Sequence, residues 1–309
     1  MTNEFLLQDR IQKIQQIVNK YGEENFCLSF SGGKDSCVLS VLVDMAIPGN
    51  KIPRVYANTG IELNMIRDFV LYLQSKDDRI VVIQPKTPIK EMLERDGYPF
   101  KSKKHAKKLG TYQRHGMTAT AIEYLNPPEK HKTFGCPAKL KYQFSPDFKL
   151  KVDYKCCVNL KEKPLDDWGK ENHKPYHIVG IRNAEGGARK AANCLAFADG
   201  KLKRFQPLVP VSNDWEEWFI EQYNVELCDI YKPPYNFMRT GCKGCPFALH
   251  LQAELDKLQE FFPAERKQCE FIWKPVYEEY RRIHYRLKPY GPSCRQMDLS
   301  DFIPEEKNG

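Results

Sequence analysis

The stretch that most restricts what this chain can fold into is Leu28-Ser29-Phe30-Ser31-Gly32-Gly33-Lys34-Asp35-Ser36. Residues 26–30 read as a strand, and Val38, Leu39, Val41, Leu42 and Met45 recur behind it at helical spacing. The glycine pair therefore falls where a parallel strand hands over to a helix, and such a junction is an anion site. Gly32 and Gly33 let backbone N–H groups approach phosphate oxygens, the helix N-terminus adds partial positive charge, and Lys34 adds a full one. Ser31 and Ser36 contribute hydroxyl donors. The loop is not a Walker A sequence, which separates its first glycine from its Gly-Lys pair.

The flanking pattern says which kind of sheet holds this loop. Residues 5–20, with Phe5, Leu6, Ile11, Ile14 and Val18 apolar, predict an amphipathic helix. Arg54-Val55-Tyr56-Ala57 predicts a second strand that ends in Asn58-Thr59-Gly60, residues 62–75 a helix, and residues 79–83 a third strand. His177-Ile178-Val179-Gly180-Ile181-Arg182 reads as a later strand ending in an arginine. Alternating strands and helices imply right-handed crossovers, a parallel sheet, and ligands at the carboxyl ends of its strands. The expected class is α/β, a parallel-sheet, Rossmann-like domain with a helical C-terminal appendage. A length of 309 residues with 41% hydrophobic content suits a nucleotide-binding domain over residues 1–235 and a C-x-x-C and helical region over 236–309.

No run of 18 apolar residues and no charged-then-apolar leader is present, so a soluble, cytoplasmic protein without a membrane partner is expected. The formal charge of +8 favours an anionic partner, nucleotide or nucleic acid. The strand-helix rhythm breaks at Pro99 and resumes near Tyr176, which marks an insertion at about residues 99–150. Its basic run, Lys101, Lys103, Lys104, Lys107, Lys108 and Arg114 with His105 and His115, precedes Tyr112, Tyr124, Phe134, Tyr142, Phe144 and Phe148 or interleaves with them. Basic residues among aromatics can track a phosphate backbone and stack bases, which makes residues 101–115 a candidate nucleic-acid contact. A solvated helix face over a packed loop is the commoner origin of such a run.

Eleven cysteines are many for a cytosolic chain, where disulfides are rare, so metal or redox chemistry is expected before a disulfide framework. Cys156-Cys157 is an adjacent pair and Cys242-Lys243-Gly244-Cys245 a C-x-x-C. Adjacent cysteines seldom both ligate one zinc, whereas four thiolates in two pairs can hold a cubane iron-sulfur cluster. Cluster, zinc and plain buried thiols are the three readings, in that order. Cys27, Cys37, Cys194, Cys228 and Cys269 read as small core hydrophobes, and Cys136 as a spare thiol.

Ser31-Gly32-Gly33-Lys34-Asp35-Ser36 resembles the loop of the adenine nucleotide alpha-hydrolase superfamily, which includes ATP pyrophosphatases, tRNA thiolases and sulfonucleotide reductases. The cysteine pairs, with 84 residues between Cys157 and Cys242, resemble the cluster signature of assimilatory adenylylsulfate reductases in the phosphoadenosine phosphosulfate (PAPS) reductase family. Lys161 four places after Cys157, Gly180-Ile181-Arg182 with Arg189 seven residues on, Phe205-Gln206-Pro207-Leu208 and Asp214-Trp215-Glu216-Glu217-Trp218 are similar to that family's further segments. The resemblance implies a [4Fe-4S] cluster on Cys156, Cys157, Cys242 and Cys245, with Lys161 coupling it to the nucleotide. It implies that Arg182 and Arg189 grip phosphate or sulfate, and that Ser29, Ser31, Gly32, Gly33, Lys34, Asp35, Ser36, Asn58, Thr59 and Gly60 line the nucleotide site.

Two departures matter. Asn58 stands where the family usually has aspartate. The family's tail reads Glu-Cys-Gly-Leu-His, with a thiolate that attacks the sulfonucleotide sulfur, and here the tail reads Tyr290-Gly291-Pro292-Ser293-Cys294-Arg295. Cys294 is the candidate nucleophile, with Arg295 beside it to favour the thiolate and a thioredoxin-like reductant to resolve it. Three functions follow. A sulfonucleotide reductase binds adenylylsulfate or its 3′-phosphate. An ATP pyrophosphatase-type sulfurtransferase adenylates and thiolates tRNA or DNA, with Asp35 orienting Mg²⁺. A non-catalytic cluster-bearing nucleotide sensor is third, and the first is preferred.

Overall fold

The computed structural model describes residues 2–129 and 134–289. The chain divides into two compact units, Met1–Leu93 with Lys155–Lys243, and Glu94–Tyr154 with the residues from Gly244 onward.

In the first unit, α1 (Asn3–Tyr21) starts where the Thr2 hydroxyl accepts from Phe5 N–H and stops at Gly22, whose φ of 82° a side chain would resist. Then come β1 (Phe26–Phe30), α2 (Lys34–Ala46), β2 (Arg54–Ala57), α3 (Asn64–Lys76), β3 (Ile80–Ile83) and α4 (Ile89–Asp96), the last of which runs out of the unit. The second unit contributes α5 (Lys103–His115) and α6 (Ala119–Leu125). The chain returns to the first unit with α7 (Lys163–Glu171), β4 (Tyr176–Val179), β5 (Leu195–Ala198), β6 (Lys201–Phe205) and α8 (Asn213–Gln222).

The six strands form one sheet in the order β3-β2-β1-β4-β6-β5. All neighbours are parallel except the β5–β6 hairpin. Leu28 faces Arg54 on one side of β1 and Ile178 on the other. Strand order reverses at β1, so the crevice at the carboxyl ends of β1 and β4 is the switch point where such sheets take ligands. The core follows from the apolar stripes of the sequence: Ile14 and Val18 of α1, Val38, Leu39, Leu42 and Val43 of α2, and Trp215 and Phe219 of α8 are buried with Phe26, Leu28 and Phe205.

The β5–β6 hairpin is not among the strands predicted above. It turns on Asp199 and Gly200, with φ of 50° and 74°, the pairing of left-handed residues that a two-residue hairpin turn needs. The expected strand 79–83 is trimmed to Ile80–Ile83, and the one expected at 177–182 spans Tyr176–Val179, so Arg182 lies three residues beyond it.

The second unit is helical. Ser102 caps α5 by accepting from His105 N–H at 3.2 Å, and α9 (Leu251–Phe261) and α10 (Pro263–Arg282) follow the C-x-x-C. Phe100 meets Tyr280 at 4.5 Å between ring centroids, and buried Leu109, Tyr124, Phe144, Leu255 and Trp273 complete the interior. The basic run therefore lies on the outer face of α5, where Lys103, Lys104 and Lys107 are exposed, while His105 is fully buried between Gln143 and Tyr124. Among the described residues no helix is long and apolar enough to cross a membrane.

Candidate functional site

The turn after β1 with the start of α2, and the turn after β2, carry the expected nucleotide residues other than Ser29, and the turn after β4 and the start of α8 carry Arg182 and its partners, all within the first unit. The loop after β1 is braced by its own hydroxyls. Ser36 Oγ donates to Gly33 O at 2.8 Å and accepts from Ser31 N–H at 3.2 Å, and Gly33 N–H donates to Ser31 Oγ at 3.3 Å. Gly32 has φ 69°, and a Cβ there would stand 2.7 Å from Val70 Cγ2, so the turn excludes any other residue without rearrangement. Ser29 is half-buried on β1, one residue before the strand ends at Phe30. Lys34 opens α2 with its Nζ 5.2 Å from the centre of the Tyr231 ring, and among the described residues no carboxylate pairs with it. A cation held over an aromatic face at a helix N-terminus is poised for a phosphate.

Asp35 and Arg182, distant in sequence, meet directly. Arg182 Nε donates to Asp35 Oδ1, its Nη1 donates to Asn213 Oδ1 at 2.9 Å, and its Nη2 lies 2.8 Å from Glu216 Oε2. The close approach depends on Gly180, whose Cβ would lie 3.0 Å from the Asp35 carbonyl oxygen. Arg182 is 6% exposed, so its guanidinium ties the end of β4 to α2 and α8. Burial, and then Asp35, push the Glu216 carboxyl up to about 8 against the pull of Arg182. Arg189 pairs with Glu185, which also accepts from Arg239 Nη2 at 3.1 Å.

At the end of β2, Asn58 Oδ1 accepts from Gly60 N–H at 3.2 Å, and Glu62 accepts from Thr59 N–H at 3.1 Å and from its hydroxyl. Glu62 also pairs with Lys161 Nζ at 3.0 Å. Lys161 sits on a single π-helical turn, Val158–Glu162, between the Cys156-Cys157 pair and α7. Such turns are frequent at functional sites. Burial pulls the Lys161 ammonium down, yet Cys242, Glu62 and Cys157 together outweigh it and hold it charged. Burial pushes the Cys242 thiol up to about 11, with Lys161 opposing.

Among the described residues no three Cys, His, Asp or Glu side chains converge as metal ligands. The chemistry of the donor set nonetheless fits a thiolate-held group on the first unit's side. Cys157 and Cys242 are neighbours of one lysine and of each other, and that lysine's charge offsets thiolates. Cys156 is buried there, and Cys245 belongs to the second unit. Cys294 lies outside the described residues. Cys27, Cys37, Cys228 and Cys269 are buried, Cys194 is half-buried, and Cys136 is buried in the second unit with its thiol raised to about 11 by burial.

Sequence reasoning overlooked Glu62, Glu185, Asn213, Glu216 and Tyr231. Glu62 was findable: it follows Asn58-Thr59-Gly60 closely, and the donors of Thr59 in a buried turn call for an acceptor. Nothing local marks Glu216, whose partners lie on other elements.

The sequence profile of the phosphoadenosine phosphosulfate reductase domain matches residues 25–248. An uncharacterized protein of Methanocaldococcus jannaschii is 26% identical over 94% of this chain, and the chain spans 60% of that relative's length. Among solved structures, a phosphoadenylyl-sulfate reductase from Candida auris has a TM-score of 0.40 at 12% identity, covering 74% of this chain and 91% of its own. A U34-tRNA thiolase of Methanococcus maripaludis, solved with its [4Fe-4S] cluster, has a TM-score of 0.40 at 16% identity, covering 95% and 84%.

Proposed function

The chain belongs to the phosphoadenosine phosphosulfate reductase domain family, and from that premise we propose that it is an enzyme binding an adenine (sulfo)nucleotide beside β1 and β4 and acting at its sulfur. One observation carries this reading: the glycine turn after β1 presents Lys34, unpaired with any carboxylate among the described residues, at the N-terminus of α2. Lys34 and the first N–H groups of α2 take the nucleotide's anionic groups. Arg182 acts by fixing Asp35 and the start of α8, while Arg189, at the surface beside Glu185, is the guanidinium assigned to the sulfate end. Asn58, Thr59 and Gly60 form the neighbouring wall, kept in shape by Glu62.

We assign the two cysteine pairs to a [4Fe-4S] cluster with Lys161 beside it. Cys156, Cys157, Cys242 and Cys245 would hold the cluster, and the Lys161 ammonium, offsetting the negative charge of the thiolates, would help polarise the sulfonate end of the substrate. In the reductase reading, Cys294 as thiolate attacks the sulfonate sulfur, an S–S bond forms, and the S–O bond to the adenylate breaks with AMP as leaving group. A thioredoxin-like dithiol then reduces the S–S bond, releases sulfite and becomes a disulfide.

The exposed lysines of α5 favour a second reading, an ATP pyrophosphatase-type sulfurtransferase with a tRNA or DNA acceptor and Mg²⁺ near Asp35. The two are separated by assaying sulfite release from adenylylsulfate or its 3′-phosphate with thioredoxin against pyrophosphate release from ATP with tRNA or DNA. The first reading predicts sulfite, lost in Cys294→Ser. Pyrophosphate without sulfite establishes the second, and full activity of Cys294→Ser removes the thiol step. Anaerobic protein should carry iron and acid-labile sulfide, reduced in Cys157→Ser and Cys242→Ser.

A further inference from the structure

We propose that the cleft between α5 and α6 in the second unit is a stacking site for an unpaired base of a single-stranded nucleic acid. The Phe134 ring is its platform, and the lysines of α5 take the flanking phosphates. The inference rests on the second reading above, in which a nucleic acid is the acceptor, and names the form of strand and the place that holds it. The cleft encloses about 310 Å³, and its walls include Lys104 and Lys108 of α5, Glu123 and Tyr124 of α6, Pro128 and Phe134. Aromatic and apolar walls with a few charged groups are the usual make-up of a small-ligand site.

Phe134 is the unusual member. It is 64% exposed, whereas Tyr124 and Phe144 of the same unit are 4% and 7% exposed. The exposed ring is nonetheless held in place. Lys104 Nζ donates to Phe134 O at 2.9 Å, and it stands 5.4 Å from the centre of the Phe134 ring and 5.7 Å from that of Tyr124. The Tyr124 hydroxyl is hydrogen-bonded to Nδ1 of buried His105 at 3.1 Å, and Cys136 N–H donates to Tyr124 O at 2.7 Å. These bonds tie the platform to the interior of the unit while leaving most of it to solvent. Stacking on such a face accepts every base, because each has a π-face. Lys108 and Glu123 line the same cleft, and among the described residues neither makes an ion pair or a hydrogen bond. Lys108 is therefore open to a phosphate, and Glu123 to the N–H groups of a base edge.

The charge pattern selects a strand over a free nucleotide. Lys103, Lys104, Lys107 and Lys108 recur at i, i+1, i+4 and i+5, so they share one face of α5, and that helix contains no acidic residue. Lys103 and Lys107 are exposed and lie outside the lining of the cleft, so phosphates beyond the seated base have lysines of their own. A base in the cleft is neither paired nor stacked in a duplex, and the site thereby separates a single strand from a double one.

Fluorescence anisotropy of a fluorescein-labelled RNA strand of mixed sequence, alone and annealed to its complement, tests this. The wild-type protein should bind the single strand about tenfold more tightly than the duplex. Phe134→Ala keeps the backbone carbonyl that Lys104 bonds. It should weaken single-strand binding about tenfold without altering its salt dependence, because stacking releases no counterions. Phe134→Trp, which retains a ring, should restore the affinity. Lys108→Gln should make the slope of log affinity against log salt shallower by about one. Adenosine monophosphate at the concentration of the strand should not displace it. Single-strand affinity unchanged in Phe134→Ala, or a duplex bound as tightly as the single strand, overturns the stacking site and leaves the nucleic-acid reading standing. Displacement by adenosine monophosphate also overturns it, since the cleft then serves a free nucleotide. Binding of neither form by the wild-type protein refutes the nucleic-acid reading and the inference with it.

Discussion

The Arg182 guanidinium, whose place at a strand's end predicts a grip on substrate, is occupied by Asp35, Asn213 and Glu216. A strand pattern reports where a side chain starts, whereas its partners depend on which distant elements pack beside it. Gly180 illustrates the difference. In the sequence it is one residue of Gly180-Ile181-Arg182, and in the fold it is the point where β4 comes so close to α2 that a Cβ would sit 3.2 Å from the Asp35 carbonyl carbon. Gly180→Ala should therefore destabilise the protein by about 1–3 kcal/mol, the usual cost of an overpacked contact, and weaken nucleotide binding by displacing Asp35. Denaturant midpoints and adenylylsulfate titration of the variant check both effects, and an unchanged midpoint would show that the contact is slack.

Among elements, β1, α2 and β2 were recognisable because apolar periodicity and turn residues agree there. The β5–β6 hairpin was missed although Asp199-Gly200 is a strong hairpin signal, since its strands are short and Lys201, Lys203 and Arg204 dilute their apolar pattern. Helix α5 shows the opposite difficulty. Its lysines suggest a ligand surface, while the same helix buries His105, Ala106 and Leu109 on its other side. Burial lowers the His105 imidazole from 6.5 to about 4, with Lys101 and Arg286 adding to it and Gln143 opposing. A histidine held neutral in the fold stabilises it fully above its unfolded pKa, and that contribution is lost as pH falls from 6.5 toward about 4. The second unit should lose roughly 3 kcal/mol over that interval. Hydrogen exchange at the amides of Leu109 and Phe144, corrected for the intrinsic exchange rate at each pH, would register it as lower protection in acid, and His105→Gln should flatten the dependence. Protection that does not change with pH in the wild-type protein would mean that the ring is solvated.

At the scale of the whole molecule, the parallel sheet was readable from the alternation of strands and helices, while the make-up of the second unit was not. The described residues of 94–154 and of 244–289 belong together through non-local contacts such as Phe100 with Tyr280, and a sequence shows only that its rhythm stops at Pro99. The formal charge of +8 pointed to an anionic partner without placing it. Two of its sources differ in kind, Lys34 at a built turn in the first unit and the open lysine face of α5 in the second. Of these two, the first has the fixed backbone that a small anion needs. Equilibrium titration of adenylylsulfate into the wild-type protein and Lys34→Ala tests this most directly. Saturable binding by the wild type, weakened about tenfold to a hundredfold by loss of the charge, is the predicted result. No binding by the wild type, or equal affinity in Lys34→Ala, would contradict it.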